Sequence, residues 1–211
     1  MNVLADARGG GGLWLRTAVA TLVFFVVVVA AEHLLIPGLS PATHQLSEYA
    51  NSSQWGWLMT VGFASWAVSL LTSAEVVRHS DTLQGHRVRL TLLVGLLAIA
   101  GLAMIITAWF HTQTVAGAIP RGHTLTTAGR LHDVGSGTTT LALFLAAVVS
   151  TRMAGANQRW FRTATWSAIV AAVGIDLVLL VVGTGVGGIR ERVLVAIGCA
   201  WQACLLRAAG T

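Results

Sequence analysis

Histidines and acidic residues gather between the apolar runs of this sequence, where several of them can do chemistry. The candidate members of one site are Glu32, His33, His44, Glu48, His111, His132 and Asp133. Imidazole and carboxylate groups together bind zinc, act as general acid and base, or titrate near neutral pH. No pair of these residues has the His-Glu-x-x-His spacing of a zinc helix, so we predict no cofactor. If the site does bind a divalent metal, zinc is the one that these side chains suit. The structural alternative is that each histidine is a polar residue at the level of the lipid headgroups.

Ser47 is a candidate nucleophile within the densest polar segment, which runs from His44 to Tyr49. A serine acts in this way when a neighbouring histidine takes its proton. The Gly-x-Ser-x-Gly elbow of many serine hydrolases is absent, and the alternative is that Ser47 caps the first turn of a short interfacial helix. Asp133 has a similar alternative, because it lies one residue before an apolar run and can cap the helix that begins there.

A second group of polar residues lies inside the apolar runs. A carboxylate such as that of Asp176 costs at least ~2.5 to 3.5 kcal/mol at this depth unless it is protonated or paired. Counted inward at ~1.5 Å per residue, Asp176, Ser65 and Gln202 share a depth and can bond to one another. Such an intramembrane polar cluster is either a proton-carrying or substrate-binding site of a transporter, or a hydrogen-bonded contact that holds helices together.

A third group follows the glycine-rich segment 183–188 and consists of Arg190, Glu191 and Arg192. The glycines resemble a phosphate-binding loop only superficially, since no Gly-Lys-Ser/Thr ending is present and no strand precedes them. We expect them to give a tight exit from the preceding helix. Arg190 and Arg192 are then placed to attract lipid phosphates in the outer headgroup layer.

The elements that must position these groups are transmembrane helices. Of the 211 residues, 55% are hydrophobic and 10% are charged, and the mean hydropathy is +0.74, values far from those of a soluble domain. About 20 apolar residues cross a bilayer as a helix. The candidate spans are 15–36, 55–77, 90–110, 134–151, 164–185 and 193–206. The sequence therefore predicts an all-α polytopic membrane protein in which residues 1–211 form a single antiparallel bundle of six transmembrane helices.

The first span also has features of a signal peptide. Arg8 and Arg16 precede it, and the Val29-Ala30-Ala31 segment would suit a signal peptidase. The apolar character resumes at Leu34, however, which gives the length of a membrane-spanning helix. We favour a helix that is retained.

Arginine placement predicts the orientation and the partners. The chain has thirteen Lys and Arg residues, all of them arginine, and a formal charge of +5. Nine arginines fall on the side that would hold both termini and four on the other, so the positive-inside rule places both termini in the cytoplasm. The loops 37–54 and 111–133 then form a polar cap outside it. Because the arginines lie in loops between apolar runs, we expect membrane lipids as partners and no nucleic acid.

An ordered set of polar positions carries a family resemblance. The positions are His44-x-x-Ser47-Glu48, His132 and Gly188-Ile-Arg-Glu191-Arg192. Across nearly the whole chain this order resembles the bacterial and archaeal membrane proteins grouped as domain of unknown function 998. The resemblance implies six helices in the cytoplasmic membrane of a prokaryote, and it implies no reaction. Where an acid is expected after the third helix, this chain has His111.

Three functions remain open on the sequence alone. The first is the binding of a lipid or small apolar molecule beneath the extracytoplasmic cap. The second is a membrane-embedded hydrolase or transferase acting on lipid or isoprenoid groups, with the site His44, Ser47, Glu48, His111, His132 and Asp133. The third is a small proton-coupled transporter that uses Asp176.

Overall fold

In a computed structural model, the described residues of the protein form seven helices. The backbone is described for residues 3–80, 82–83, 87–155, 158–182 and 185–210, and side chains for the same ranges except 3–11, 180 and 182. The helices are α1 (Val3–Leu35), α2 (Leu46–Tyr49), α3 (Gly56–Arg78), α4 (Arg87–Trp109), α5 (Thr127–Thr151), α6 (Arg159–Val182) and α7 (Gly187–Gly210). All except α2 contain a segment long and apolar enough to cross a membrane. The prediction of an all-α polytopic membrane protein with six spans is confirmed.

The spans alternate in direction, so the same end of the bundle holds three helix ends and three helix starts. We call it the cap end: α1, α4 and α6 finish there, and α3, α5 and α7 begin there. The segments 36–55 and 110–126 connect spans at this end; the loops predicted to form a polar cap were 37–54 and 111–133, and residues 127–133 belong to α5 instead. The opposite end holds the start of α1 and the end of α7.

Helix α3 is the centre of the packing. It lies against α1, α4 and α7, while α5 packs on α4, and α6 packs on α5 and α7. Phe25 of α1 stacks on Trp66 of α3 with ring centroids 4.7 Å apart. Small residues allow the helices to approach closely: a Cβ added at Gly135 of α5 would lie 2.8 Å from the Ala103 carbonyl oxygen of α4.

Of the three helices that begin at the cap end, α5 and α7 begin earlier than their apolar runs predicted. Helix α5 starts at Thr127 instead of residue 134, because the Thr126 hydroxyl accepts a hydrogen bond from the Gly129 amide and caps the first turn. The prediction that Asp133 caps this helix is therefore wrong, since Asp133 lies inside it. Helix α7 starts at Gly187 instead of residue 193, and its first turns carry the three charged residues that had been assigned to a loop. Helix α6 ends at Val182, and residues 183–184 of the predicted fifth span lie outside the described residues.

The predicted intramembrane cluster does not form, because each of its three residues bonds elsewhere. Gln202 accepts a hydrogen bond from the Trp66 indole at 2.9 Å and donates to the hydroxyls of two serines of α3. The Ser65 hydroxyl donates to the Thr21 carbonyl oxygen at 2.8 Å. Asp176 forms an ion pair with Arg190. The predicted span ran to residue 185, whereas α6 ends at Val182, so Asp176 lies nearer the cap end than predicted.

Candidate functional site

Helix α2 lies in the first cap-end segment, and its N-terminus is held by a distant side chain. All four of its residues are buried, and the side chain of Gln45, at the N-cap position, makes no capping bond. Instead the Glu191 carboxylate of α7 accepts a hydrogen bond from the Leu46 amide at 2.6 Å. The predicted cap is therefore wrong in its residue: Ser47 lies within the helix, and a carboxylate from another helix binds the free amide.

Arg192 joins α7 to both α1 and the first cap-end segment. Its Nε donates to Nε2 of His33 at 2.7 Å, and its Nη1 donates to the carbonyl oxygens of His44 at 2.6 Å and Gly188 at 3.0 Å. Because Nε2 of His33 accepts from an arginine, the proton of the imidazole must lie on Nδ1, which contacts the Val29 carbonyl oxygen. His33 is therefore a neutral acceptor in this arrangement.

Tyr49 lies against the Arg192 guanidinium and is fully buried. The guanidinium carbon is 5.3 Å from the ring centroid, and the phenol donates a hydrogen bond to the Leu39 carbonyl oxygen at 2.8 Å. Burial raises the pKa of the Tyr49 phenol above 10.0, an effect that the positive charge of Arg192 partly opposes. The phenol is thus neutral, and its hydrogen bond to Leu39 fixes the ring beside the guanidinium.

Glu32 is the least satisfied polar residue of this region. Its side chain is 0% exposed, and neither carboxylate oxygen has a hydrogen-bond partner among the described residues. It lies in the last turn of α1, near the backbone amide of Met59 and electrostatically coupled to Tyr49. Nη2 of Arg192 is also buried with no hydrogen-bond partner in the described part of the chain, while the guanidinium as a whole interacts with the Tyr49 phenol.

We call this group the cap cluster: Glu32, His33, Tyr49, Glu191 and Arg192. It brings together the ends of α1 and α7 around α2. Buried carboxylates and guanidinium nitrogens are normally hydrogen-bonded, and each exception requires an explanation. The unused capacity here is acceptor capacity on Glu32 and donor capacity on Arg192, which is the arrangement that a small polar group, or water, would fill.

Glu48 is predicted as a catalytic acid, and the structure gives its carboxylate a different set of partners. Oε1 accepts from the Gly117 amide at 2.8 Å and from the Thr114 hydroxyl at 3.1 Å, while Oε2 accepts from the Ala116 amide at 2.8 Å. Ala116 and Gly117 both have left-handed backbone, with φ of 51° and 76°. The carboxylate therefore holds a tight turn of the second cap-end segment over α2.

The remaining catalytic candidates are dispersed. Nδ1 of His132 donates to the Phe110 carbonyl oxygen at 2.7 Å, so this buried imidazole caps the C-terminal end of α4. His111 and Asp133 are exposed, and the His44 imidazole contacts the Thr43 hydroxyl. Within the described residues, no hydrogen bond joins any two of the six candidates, and no group of three His, Cys, Asp or Glu residues could hold a metal ion.

The sequence predicts one site that includes Glu32 and His33 and a separate loop group that includes Glu191 and Arg192, but it does not predict that the two pairs meet. Tyr49 was noted only as part of a polar segment. The available signal was an acid inside an apolar run, since Glu32 is followed by Leu34 and Leu35. Arg190, the third charged residue of the α7 start, faces away from the cap cluster and pairs with Asp176 of α6, and these two side chains are 46% and 41% exposed.

Comparison with known proteins gives one match. The family model described as "Protein of unknown function (DUF998)" matches residues 18–208. No curated protein and no solved structure matches the chain.

Proposed function

Since the chain belongs to the DUF998 family, whose description assigns no activity, we propose a function from the cap cluster. The protein binds a lipid or a small apolar molecule that has a polar end. The polar end lies between Glu32 and Arg192, beneath the cap formed by segments 36–55 and 110–126, and the apolar part lies along the membrane-spanning helices.

The observation that carries this proposal is the pair of buried, unpartnered groups in the cap cluster. The Glu32 carboxylate and the Nη2 nitrogen of Arg192 are both buried and lack hydrogen-bond partners in the described structure. Burying even a neutral polar group without a hydrogen bond costs roughly 2–7 kcal/mol, and a charged group costs more. A ligand that binds both groups would offset this cost.

The depth of the two groups suits an amphipathic occupant. At ~1.5 Å per residue, Glu32 lies about 4.5 Å from the end of α1 at Leu35, and Arg192 lies about 7.5 Å from the start of α7 at Gly187. This is the region of a span where headgroups meet hydrocarbon. A lipid polar group can therefore reach the cap cluster without leaving its layer of the bilayer.

Helices α6 and α7 are loosely packed near the cap end, which leaves space for the apolar part of the ligand. The buried residues of α6 are Phe161, Thr165 and Ile169, and all three lie in the half of the helix remote from the cap end. In α7, residues 193–198 are partly or fully exposed, and the buried residues beyond Gly188 begin at Cys199. The exposed stretch is apolar and directly follows Arg192.

Two alternatives have weaker support. For an enzyme, the Glu48 carboxylate is already occupied by a backbone turn, and the other catalytic candidates have separate partners. For a proton-coupled transporter, Asp176 is paired with Arg190 instead of lying at an unpaired midplane position. Neither arrangement offers a free reactive group comparable with Glu32.

Photo-crosslinking tests the proposal. The purified full-length protein is placed in bilayers containing a lipid with a photoreactive group near its head, irradiated and digested. We expect labelled peptides from the end of α1, from α2 and from the first turns of α7, and we expect Arg192→Gln to lose this labelling while Arg190→Gln keeps it. Labelling spread evenly over all lipid-facing helices, and equal in both variants, would contradict the proposal.

The orientation is part of the same proposal and has its own test. The arginine count supports a cap end outside the cytoplasm of a prokaryotic cell, with both termini inside. An alkaline phosphatase fused to the carboxyl terminus should then be inactive, and one inserted between Gly117 and Ala118 of the cap should be active. The reverse pattern would place the cap cluster at the cytoplasmic face.

A further inference from the structure

The lipid-facing side of α6 carries a groove at the end of the bundle opposite the cap end. Helix α6 packs on α5 and α7, and among the six spans found in the described residues it is the least buried. The groove has a volume of about 540 Å³ and is lined by Arg162, Thr163, Trp166, Ser167, Val170 and Ala171. We call it the α6 groove. Because α6 begins at Arg159, the groove lies far from the cap cluster and shares no residue with it.

Helix periodicity explains how a single helix forms this groove. Side chains four residues apart are neighbours on a helix surface and form rows along it. The row that packs against the rest of the protein consists of Phe161, Thr165 and Ile169. The next row begins at Arg162 and has bulky side chains, whereas the row after it begins at Thr163 and has small ones. The small row therefore forms a trough beside the bulky row, and both rows face lipid.

The lining of the α6 groove is rich in hydrogen-bond donors that the protein itself does not use. The donors are the Arg162 guanidinium, the Trp166 indole and the hydroxyls of Thr163 and Ser167. None of them makes a hydrogen bond or an ion pair within the described part of the chain. In α3, by contrast, all five serine and threonine hydroxyls donate to a backbone carbonyl oxygen. The groove thus offers free donors and one positive charge, and no acid is among its lining residues.

The α6 groove runs from the headgroup layer into the hydrocarbon. At ~1.5 Å per residue, Arg162 lies about 4.5 Å from the start of α6, and Ala171 lies about 18 Å from it. The donors occupy the shallow part, and the apolar side chains of Val170 and Ala171 occupy the deep part. A tryptophan at the shallow level suits the membrane interface. A phospholipid has the same order, with a phosphate followed by acyl chains.

Charge selects among the phospholipids. A phosphate oxygen of any phospholipid can accept from the Arg162 guanidinium. Arg159, one turn nearer the start of the helix, is also exposed, and α6 has no acid before Asp176. The ammonium group of a zwitterionic headgroup would therefore lie near two arginines and find no acid on this helix. A headgroup with a net negative charge avoids this repulsion and is attracted by both arginines.

We propose that the α6 groove binds an anionic phospholipid. The phosphate accepts hydrogen bonds from Arg162 and from the hydroxyls of the small row, and one acyl chain lies along Val170 and Ala171. This site is separate from the cap cluster and does not depend on the proposed function. In the orientation proposed above, its lipid belongs to the cytoplasmic leaflet.

Lipid competition tests the proposal. The full-length protein is placed in bilayers with equal amounts of phosphatidylglycerol and phosphatidylethanolamine, extracted in mild detergent and analysed by native mass spectrometry. We expect phosphatidylglycerol to be retained about fivefold over phosphatidylethanolamine, the factor that one arginine contributes at an anionic membrane surface. Arg162→Gln should retain the two lipids equally, and Arg162→Lys, which keeps the charge, should restore the preference.

Matched controls separate the α6 groove from the general positive charge at this end of the bundle. Arg87→Gln removes an exposed arginine at the start of α4, outside the groove, and should keep the preference. Ser167→Leu fills the small row without changing the charge and should lose it, whereas Thr140→Leu, at an exposed position of α5, should keep it. All of these positions are exposed, so the core is unchanged, and size-exclusion profiles establish that each variant is folded.

Three outcomes would overturn the proposal. Equal retention of the two lipids by the wild type would remove the anionic preference. A loss of preference in Arg87→Gln as large as in Arg162→Gln would assign it to the overall charge of this end. A mass of two chains for the wild type and of one chain for Ser167→Leu would mean that a second copy covers the groove. Arg192→Gln should keep the preference, because it changes only the cap cluster, so this site and the proposed function can fail independently.

Discussion

The Glu191 carboxylate of α7 binds the Leu46 amide that begins α2, although the two residues are 145 positions apart in the chain. The bond replaces the local side-chain cap that α2 lacks, because Gln45 makes no capping bond. It ties the start of the last span to the first cap-end segment. It also explains how a helix of four residues, too short to be stable alone, is held in a buried position.

Replacing Glu191 should loosen α2. In Glu191→Ala the Leu46 amide is left buried without a partner, so we expect a loss of about 1–3 kcal/mol in stability. Glu191→Gln keeps an acceptor oxygen and should lose less. Thermal unfolding in detergent and hydrogen exchange of residues 46–49 measure the effect. Glu75→Ala is the control, since it removes a partly exposed ion pair with Arg78 and should change stability by less than about 1 kcal/mol. Unchanged exchange of α2 in Glu191→Ala would contradict the capping role.

Tyr49 allows the burial of the cap cluster to be measured directly, because it is the single tyrosine of the chain. Its pKa is raised above 10.0 by burial, so the folded protein should show no tyrosinate absorbance at a pH where an exposed tyrosine is already ionised. The unfolded chain ionises at about pH 10. The free energy of unfolding should therefore be unaffected by Tyr49 below pH 10 and should fall as the pH rises above it.

Arg192→Gln provides the internal comparison for this titration. The positive charge of Arg192 lowers the pKa of Tyr49 against the larger effect of burial. Its removal should therefore move the ionisation of the phenol to still higher pH in a protein that stays folded. A midpoint at the value of free tyrosine, in either form, would mean that the ring is exposed to water.

The six spans followed from the sequence, while the contacts of the site did not. A run of about 20 apolar residues has few alternatives to crossing a bilayer, so the spans predicted at 55–77 and 90–110 lie within three residues of the helices Gly56–Arg78 and Arg87–Trp109. The apolar pattern ends before the charged residues Arg190, Glu191 and Arg192, so it did not predict that α7 includes them. Their partners lie on α6, α2 and α1, respectively. Those partners are up to 159 positions away, and nothing in the local pattern contains them.

Gly188 should be required for the approach of α7 to the first cap-end segment. A Cβ at this position would lie 2.5 Å from the carbonyl oxygens of both His44 and Pro41. Gly188→Ala must therefore displace the segment whose His44 carbonyl accepts from Arg192, and overpacking of this kind costs about 1–3 kcal/mol. Gly187→Ala is the matched control, since nothing lies within 4 Å of its added Cβ. Equal Tm values for the two variants would contradict the close contact.

Glu48 should act as the anchor of the 114–118 turn. Glu48→Ala removes three acceptor contacts, so this turn should become accessible to proteases while the six spans remain folded. Glu48→Gln keeps one acceptor oxygen and should be cut more slowly. Limited proteolysis followed by mass spectrometry locates the cut. A turn that resists cleavage in Glu48→Ala would show that its other contacts suffice.

Gln202 connects three helices inside the membrane, and its removal should cost more stability than the removal of Ser65, a partly buried polar residue of α3. Its amide binds Trp66, Ser69 and Ser73 of α3, and Ser69 in turn donates to the Ala18 carbonyl oxygen of α1 at 2.7 Å. Gln202→Leu keeps a similar volume but leaves the Trp66 indole N–H unpaired, with an expected loss of about 1–3 kcal/mol.

Ser65→Ala is the comparison, because Ser65 makes a single bond to the Thr21 carbonyl oxygen of α1. One interhelical hydrogen bond in a membrane contributes about 0.6 kcal/mol on average. Unfolding of both variants in a titration of denaturing detergent should therefore give a clearly larger loss for Gln202→Leu. Equal losses would mean that the three bonds of Gln202 contribute no more than the single bond of Ser65, which would contradict the prediction.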